Sequence, residues 1–206
     1  LMKKTGLLKS KFPSAPAYKQ YISLQDWKAQ KTQFFFPDKE SIKVSRKQDN
    51  NIKERYEQLQ QGKFLLFNSI LTDLGTDYDW VTNPDSGHKY DISKHWTEIA
   101  DYSKEAGDIK YVWEKSRFSY LYDIIRYDHH FDKDCAEQVF GDILSWIKSN
   151  PVNMGPNYRC SQEMSLRVLN WTFALHYYRN SAKLTEEIFG QVQYAIYWHM
   201  DHIYNN

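Results

Sequence analysis

Apolar side chains recur with helical spacing over the second half of the chain, whereas the first half has little regular pattern. The spacing predicts helices in five segments, at residues 95–107, 109–127, 132–149, 161–179 and 185–204. Gly107 is expected to close the first of these, and Thr185 is expected to be the N-cap of the last. Long helices of this kind predict an all-α fold.

The first sixty residues form a poorly regular N-terminal arm, rich in lysine and broken by Pro13, Pro16 and Pro37. A short helix is predicted at 51–61, closed by Gly62. The next piece, KFLLFN, is interpreted as extended, with helix as the alternative. Residues 73–91 are rich in turn formers and predict a long ordered loop. We therefore divide the chain into an arm, 1–60, and a helical domain, 61–206.

The helical half contains an internal repeat. The pair Arg117–Phe118 recurs as Arg167–Val168 about fifty residues later, and residues 137–141 recur as 186–190. A repeat of this length with two helices per unit is typical of stacked helical hairpins, in a closed α/α toroid or an open solenoid. One helix of each pair then lines a concave surface. We therefore expect Arg117 and Arg167 to line one common groove.

The helix predicted at 161–179 carries two different stripes. One is apolar and is predicted to face the core: Leu166, Leu169 and Phe173. The other is polar and ends beside an indole: Glu163, Arg167, Asn170 and Trp171. The loop before it contains Gly, Pro, Asn and Tyr. We expect the polar stripe to lie on the inner, concave side.

Composition narrows the classes of partner. Aromatic residues make up 17% of the chain, an amount that suits sugar or peptide surfaces as well as cores. The net charge of +1 predicts neither a nucleic-acid nor an anionic-membrane partner. No apolar run is long enough to span a bilayer. Cys135 and Cys160 are expected to be free thiols, with a disulfide between them as the alternative.

Four blocks of sequence carry a resemblance to a known family. In chain order they are KFLLFN, DLGTDYDWVTNPDSGHKYD, HWTEIADYSKEAGDIKYVWEKSRFSYL and SNPVNMGPNYRCSQEMSLRVLNWTFAL. Together they resemble the N-terminal domain of the heparinase II/III family of polysaccharide lyases, from about residue 60 to the last residue. The resemblance implies an α/α toroid followed by an antiparallel β-sandwich. It also implies cleavage of acidic polysaccharides, such as heparan sulfate or alginate, by β-elimination.

The resemblance also bears on the catalytic residues. In such lyases an Asn in an Asn-Asn-His stretch, a Tyr and a His carry out the reaction. Asn205 and Asn206 end this chain without a following His, so the catalytic Asn is not assigned to them. We expect the catalytic set to lie beyond this chain, the toroid to be incomplete, and lyase activity of the 206 residues alone to be negligible.

β-Elimination from a uronate requires donors that stabilise the enolate charge beside its carboxylate. Arg117 and Arg167 are candidate clamps for carboxylate or sulfate, because the planar guanidinium binds such groups bidentately. Trp113 and Trp171, each one helical turn from an arginine, are candidate stacking rings. The remaining substrate-binding candidates lie at two helix starts or beside them: Asn157, Tyr158, Gln162, Glu163 and His95.

Structural roles compete with each of these assignments. Glu163 and Arg167 have the i,i+4 spacing of a helical salt bridge, and Glu114 and Arg117 have the i,i+3 spacing. The tryptophans suit a core, and His95 suits a helix cap. His199 and His202 could bind a metal, but no further ligands converge on them in the sequence, so neither a metal nor a cofactor is predicted.

Two other functions fit the pattern. One is a non-catalytic helical-repeat module that binds a protein or a glycan. The other is a toroidal glycoside hydrolase that uses Glu114 and Glu163 as its carboxylate pair.

The expected partners of the favoured lyase are an acidic polysaccharide and the C-terminal remainder of its own full-length chain. A homodimer could form through the last helix, whose face carries Tyr194, Tyr197, Trp198 and Tyr204. The family implies a periplasmic or secreted protein, although no signal peptide is visible, and the compartment is left open.

Overall fold

The computed structural model describes residue 9 and residues 11–14, 22–31 and 33–206. About half of the chain is helical. Within the described residues the α-helices are α1 (Leu24–Ala29), α2 (Asn50–Gln60), α3 (Lys110–Ser116), α4 (Leu121–Phe131), α5 (Ala136–Ser149), α6 (Ser161–Tyr177) and α7 (Glu186–Asn205). Short 3-10 turns occur at Lys39–Ser41, Trp96–Glu98 and Pro156–Tyr158. The long periodic segments are thus helices, as predicted.

Besides its helices, the fold contains two small antiparallel sheets. The all-α prediction is therefore only partly correct. Strand β1 (Lys63–Leu66) pairs with β2 (Ile70–Asp73), and the extended interpretation of KFLLFN is confirmed. Strand β3 (Tyr102–Ser103) pairs with β4 (Gly107–Asp108) where a helix was predicted. A long-range contact stabilises this hairpin: the fully buried Asn83 donates hydrogen bonds to the carbonyl oxygens of Ala106 (2.7 Å) and Asp108 (2.9 Å).

The single helix predicted at 109–127 is two helices. Phe118 has a left-handed backbone (φ 62°) and ends α3, an unusual conformation for a bulky residue. Its ring is fully buried, stacked on Trp80 at 5.1 Å and edge-on to Trp171 at 5.4 Å. Packing of the ring therefore stabilises a backbone that the local sequence does not favour.

Helices α6 and α7 form the helical hairpin at the end of the chain, and α7 also packs on α5. The end of α7 lies beside the start of α6, where Asn206 Nδ2 donates to Ser161 Oγ at 3.0 Å. The large apolar core lies between these helices and α4 and contains Trp146, Met164 and Trp171. The prediction for the stripes of α6 is wrong at Leu169, which is 45% exposed, and at Arg167, which is fully buried, whereas Phe173 packs against the core as predicted.

The N-terminal arm packs on the helices through its aromatic and charged residues. Phe34 stacks on His176 with ring centroids 4.3 Å apart, and Phe36 meets Phe173 edge-on at 4.8 Å. Lys39 forms an ion pair with the buried Asp128. The arm thus contributes to the core. Pro16 lies outside the described residues.

Other predictions concern the surface and the thiols. Both cysteines are free. On α7, Tyr197 is 36% exposed and Tyr204 is 90% exposed, whereas Tyr194 and Trp198 are half-buried against the core. The described residues contain no helix that could span a membrane.

Candidate functional site

A surface groove with a volume of about 660 Å³ lies where hairpin β1–β2 meets the junction between α3 and α4. Its lining comes from α2, the hairpin and that junction: Arg55, Phe64, Leu65, Leu66, Phe67, Asn68, Glu114, Lys115, Arg117, Ser119, Tyr120, Tyr122 and Asp123. The lining combines cations, carboxylates, hydroxyl groups and aromatic rings, which together can contact a sugar chain.

The hairpin is fastened to α3 at its tight turn. Phe67 and Asn68 both have positive φ (51° and 55°), as the two central residues of a type I′ turn require. The backbone N–H of Phe67 donates to Glu114 Oε2 at 2.6 Å, and its ring meets Tyr111 edge-on at 5.1 Å. The hydrogen bond and the ring contact together fix one wall of the groove relative to its floor.

Arg117 lies on the floor and binds two carboxylates at once. Its Nε and Nη2 donate to the two oxygens of Glu163 at 2.5 and 2.9 Å, and its Nη1 pairs with Glu114. The side chain of Arg117 is 22% exposed, but those of Glu114 and Glu163 are only 7% and 4% exposed. Such charge-assisted, bidentate bonding holds the guanidinium in one orientation.

Lys115 also lines the groove, and three aromatic rings surround its ammonium group. Its Nζ is 4.3 Å from the ring centroid of Trp80, 5.2 Å from that of Phe64 and 5.5 Å from that of Tyr78, and it donates to Tyr78 O at 2.9 Å. Burial lowers the pKa of Lys115, although the carboxylates of Asp142 and Asp79 act in the opposite direction. The ring faces stabilise the ammonium where few water molecules reach it.

Three further polar groups of the lining are also engaged. Arg55 Nη2 donates to Asp123 Oδ2 at 3.3 Å. Tyr122 OH donates to Asn170 Oδ1 at 2.8 Å. Tyr120 OH donates to Asp142 Oδ2 at 3.0 Å, and burial raises the pKa of both Tyr120 and Asp142. The groove is therefore preorganised.

Arg167 does not lie in this groove, and the prediction of a common trough with Arg117 is wrong. Its Nε donates to Ser116 O at 2.7 Å and its Nη1 to Asn157 O at 3.3 Å, while its guanidinium stacks on Trp146 at 4.1 Å. Full burial lowers the pKa of Arg167 to about 9. The reason is position: Arg167 lies in the middle of α6, under the end of α3, whereas Arg117 lies at that end itself.

The polar side chains in the stripe of α6 all bind groups at the C-terminal end of α3. Arg167 binds the carbonyl of Ser116, Asn170 Nδ2 binds the carbonyl of Arg117 at 2.6 Å, and Glu163 binds the Arg117 side chain. The last carbonyls of a helix have no intrahelical partner, so side chains that bind them cap it. The polar stripe of α6 therefore caps the C-terminal end of α3 and holds it in place.

The other aromatic and amide candidates are structural in this chain. Trp113 is buried and its Nε1 donates to Pro156 O at 3.0 Å; Trp171 and Tyr158 belong to the core. Asn157 Nδ2 donates to Trp80 O and Asn150 Oδ1, both at 2.8 Å. These side chains fasten the long loop and the turn before α6.

The last two candidates also lie outside the groove. Gln162 is exposed on the first turn of α6. His95 is buried and caps the 3-10 turn that follows it, in a capping box with Glu98, while its Nε2 bonds to Phe12 O at 2.9 Å. Of the predicted residues only Arg117 reaches the groove itself, with Glu163 behind it. A carboxylate pair of Glu114 and Glu163 for glycoside hydrolysis is not assembled, because both bind the same arginine.

Sequence reasoning missed Arg55, Lys115, Tyr120 and Tyr122, which line the groove. A usable signal was the density of cationic and aromatic residues in 115–122, KSRFSYLY.

His199, considered as a metal ligand, instead accepts from Arg167 Nη1 at 2.9 Å and donates from Nδ1 to Ala195 O at 2.6 Å. Across the part of the chain that the structure describes, no three or more His, Cys, Asp or Glu side chains are grouped to hold a metal ion.

Comparison of the chain with protein-family models, with curated proteins and with solved structures found no match.

Proposed function

We propose that this chain is the N-terminal, substrate-groove part of a polysaccharide lyase similar to the heparinase II/III family, acting on an acidic, uronate-containing glycan. The proposal has two supports. One is the resemblance of four ordered sequence blocks. The other is the groove at the α3–α4 junction, and the observation that carries the proposal is its lining of arginine, lysine and aromatic side chains on a preorganised frame.

The helical pairs are proposed to be the first units of an incomplete α/α toroid. Helix α4 packs against α6, and α6 in turn packs against α7, which is the neighbour-to-neighbour packing of a helical repeat. The groove lies at the edge of this stack, where the end of α3 is held by α6. In this proposal the toroid supplies the surface on which the glycan lies.

Each groove residue has a role that follows from its chemistry. Arg117 donates to a uronate carboxylate, and Glu163 and Glu114 are positioning residues that set its orientation. Arg55 adds a second cation at the α2 side. The rings of Phe64, Tyr120 and Tyr122 provide apolar faces for sugar rings. Binding is the contribution of this chain, and we expect it to show no turnover by itself.

A direct test is binding of the 206-residue chain to uronate-containing oligosaccharides, measured by isothermal titration calorimetry. Ser119 lines the groove and is exposed, so Ser119→Trp should obstruct the groove and abolish binding. Ser165 is exposed on α6 outside the groove, and Ser165→Trp is the matched control that should bind as the parent does. Binding that survives Ser119→Trp, or no binding by the parent, would refute the proposal. Formation of the unsaturated uronate product, followed by absorbance, would refute the expected lack of turnover.

A further inference from the structure

The cations of the groove are all engaged by groups of the protein. Arg117 is shared by the carboxylates of Glu114 and Glu163, Arg55 pairs with Asp123, and Lys115 lies in its aromatic cage. An anionic ligand therefore does not meet free positive charge. It meets arginines whose charge is already balanced by nearby carboxylates.

The formal charge of the lining residues together with Glu163 sums to zero. Arg55, Lys115 and Arg117 contribute three positive charges, and Glu114 and Asp123, both in the lining, contribute two negative charges. Glu163, bonded to Arg117 from behind, contributes the third. Glycans with several sulfates per disaccharide are attracted by a net positive field, and this groove does not supply one.

Freeing Arg117 for a second anion is also unfavourable. The carboxylates of Glu114 and Glu163 are 7% and 4% exposed, so a sulfate that displaced either would leave a buried charge without its partner. Arg117 keeps only 22% of its side chain exposed, which suits contact with a single carboxylate. The rest of the lining offers hydroxyl, amide and ring groups from Asn68, Ser119 and the tyrosines, which suit the hydroxyls and faces of uncharged sugar rings.

We infer that the groove selects a glycan of low charge density, with about one carboxylate per disaccharide and no sulfate. This inference rests on the proposed function and specifies its substrate class. The groove discriminates by repulsion as well as attraction, because the carboxylates of Glu114 and Asp123 belong to its lining.

The test compares two oligosaccharide probes of equal length, unsulfated hyaluronan and heparin, in calorimetric titrations of the parent chain at physiological salt. We expect hyaluronan to bind about tenfold more tightly than heparin. Equal or tighter binding of heparin that Ser119→Trp still blocks would overturn the inference and leave the proposed function standing. Binding of neither probe would overturn both.

A charge variant tests the reason for the selectivity. Asp123 is 23% exposed, and Asp123→Asn removes one negative charge from the lining. It should strengthen heparin binding about fivefold, the effect of one nearby charge in a mostly aqueous setting, and change hyaluronan binding much less. Asp85 is exposed outside the groove, so Asp85→Asn gives the same change in net charge as a control and should leave both affinities unchanged. Equal effects of the two variants would overturn the electrostatic explanation.

Discussion

The guanidinium of Arg167 donates a hydrogen bond of 2.7 Å from Nε to the carbonyl oxygen of Ser116, in the last turn of another helix. Arg167 is fully buried, so this cation stabilises the fold and does not meet solvent or ligand. It holds the end of α3 in place, one residue before the arginine that faces the groove. A residue that resembles a ligand-binding arginine in the sequence is thus a positioning residue in the structure.

Replacement of Arg167 by Met should destabilise the fold by about 3 kcal/mol, because the acceptors on Ser116, Asn157 and His199 lose their donor inside the core. Urea denaturation measures the change. Arg126 is 59% exposed, and Arg126→Met is the control that should change the free energy of unfolding by less than about 0.5 kcal/mol. Equal effects at the two positions would contradict the buried bonding described for Arg167.

The pair formed by Arg117 and Glu163 should be energetically coupled. Each single variant, Arg117→Met or Glu163→Gln, removes one partner and leaves the other in a mostly buried place, whereas the double variant removes both. A double-mutant cycle on urea unfolding should give a coupling energy of about 2 kcal/mol. The more exposed pair of Arg55 and Asp123, treated in the same way, should give less than about 1 kcal/mol. Additive single effects at Arg117 and Glu163 would contradict the bidentate geometry.

Two glycines beside the groove hairpin provide a matched pair. Both have positive φ, but a Cβ on Gly62 would lie 2.2 Å from the backbone carbon of Gly75, whereas a Cβ on Gly75 would meet nothing within 4 Å. Gly75→Ala should therefore cost about 1 kcal/mol, for the left-handed backbone alone. Gly62→Ala should cost about 4 kcal/mol, because the hairpin must also move away from the end of α2. Thermal denaturation compares the two, and similar melting temperatures would contradict the close approach.

The sequence predicted most of the helices because their apolar spacing and caps are local properties. Helix α7 begins after Thr185, whose side chain accepts from the N–H of Ile188, as its position suggested. The interruption between α3 and α4 at Phe118 could not be predicted from local sequence, since neither glycine nor proline marks it. It depends on Trp80 and Trp171, which lie far away in sequence and adjacent in space.

The site was predicted less well, for a related reason. Polar residues at helical spacing indicate a common face, but not whether that face meets solvent, a ligand or another part of the chain. Glu163 and Arg167 became ligand candidates, and Asn170 was placed on the concave side with them, although on α6 this face meets the end of α3 and all three bind protein groups. Conversely, Lys115 gave no periodic signal, because its aromatic cage draws on two separate stretches of chain.

Buried histidine makes the stability of the fold depend on pH. The ring of His202 stacks on Phe12 and its Nδ1 donates to Asn153 Oδ1 at 2.7 Å, while its buried Nε2 has no hydrogen-bond partner. Burial, assisted by the nearby His95, lowers the pKa of His202 from 6.5 to about 4. A proton on Nε2 would place an unpaired charge in the core, so the folded state binds it only at low pH.

The sign of the effect follows from proton linkage. Below about pH 6.5 the unfolded chain binds a proton at His202 and the folded chain does not, so stability falls with pH until the folded pKa near 4 is reached. This residue alone should remove about 2 kcal/mol of stability between pH 7 and pH 5. His202→Gln keeps a donor for Asn153 and cannot titrate. Its free energy of unfolding, measured in urea across this range, should therefore fall by about 2 kcal/mol less than that of the parent. Parallel profiles for the two proteins would mean that His202 takes up its proton over the same pH range in the folded and unfolded chains, which would contradict the effect of burying its unpartnered Nε2.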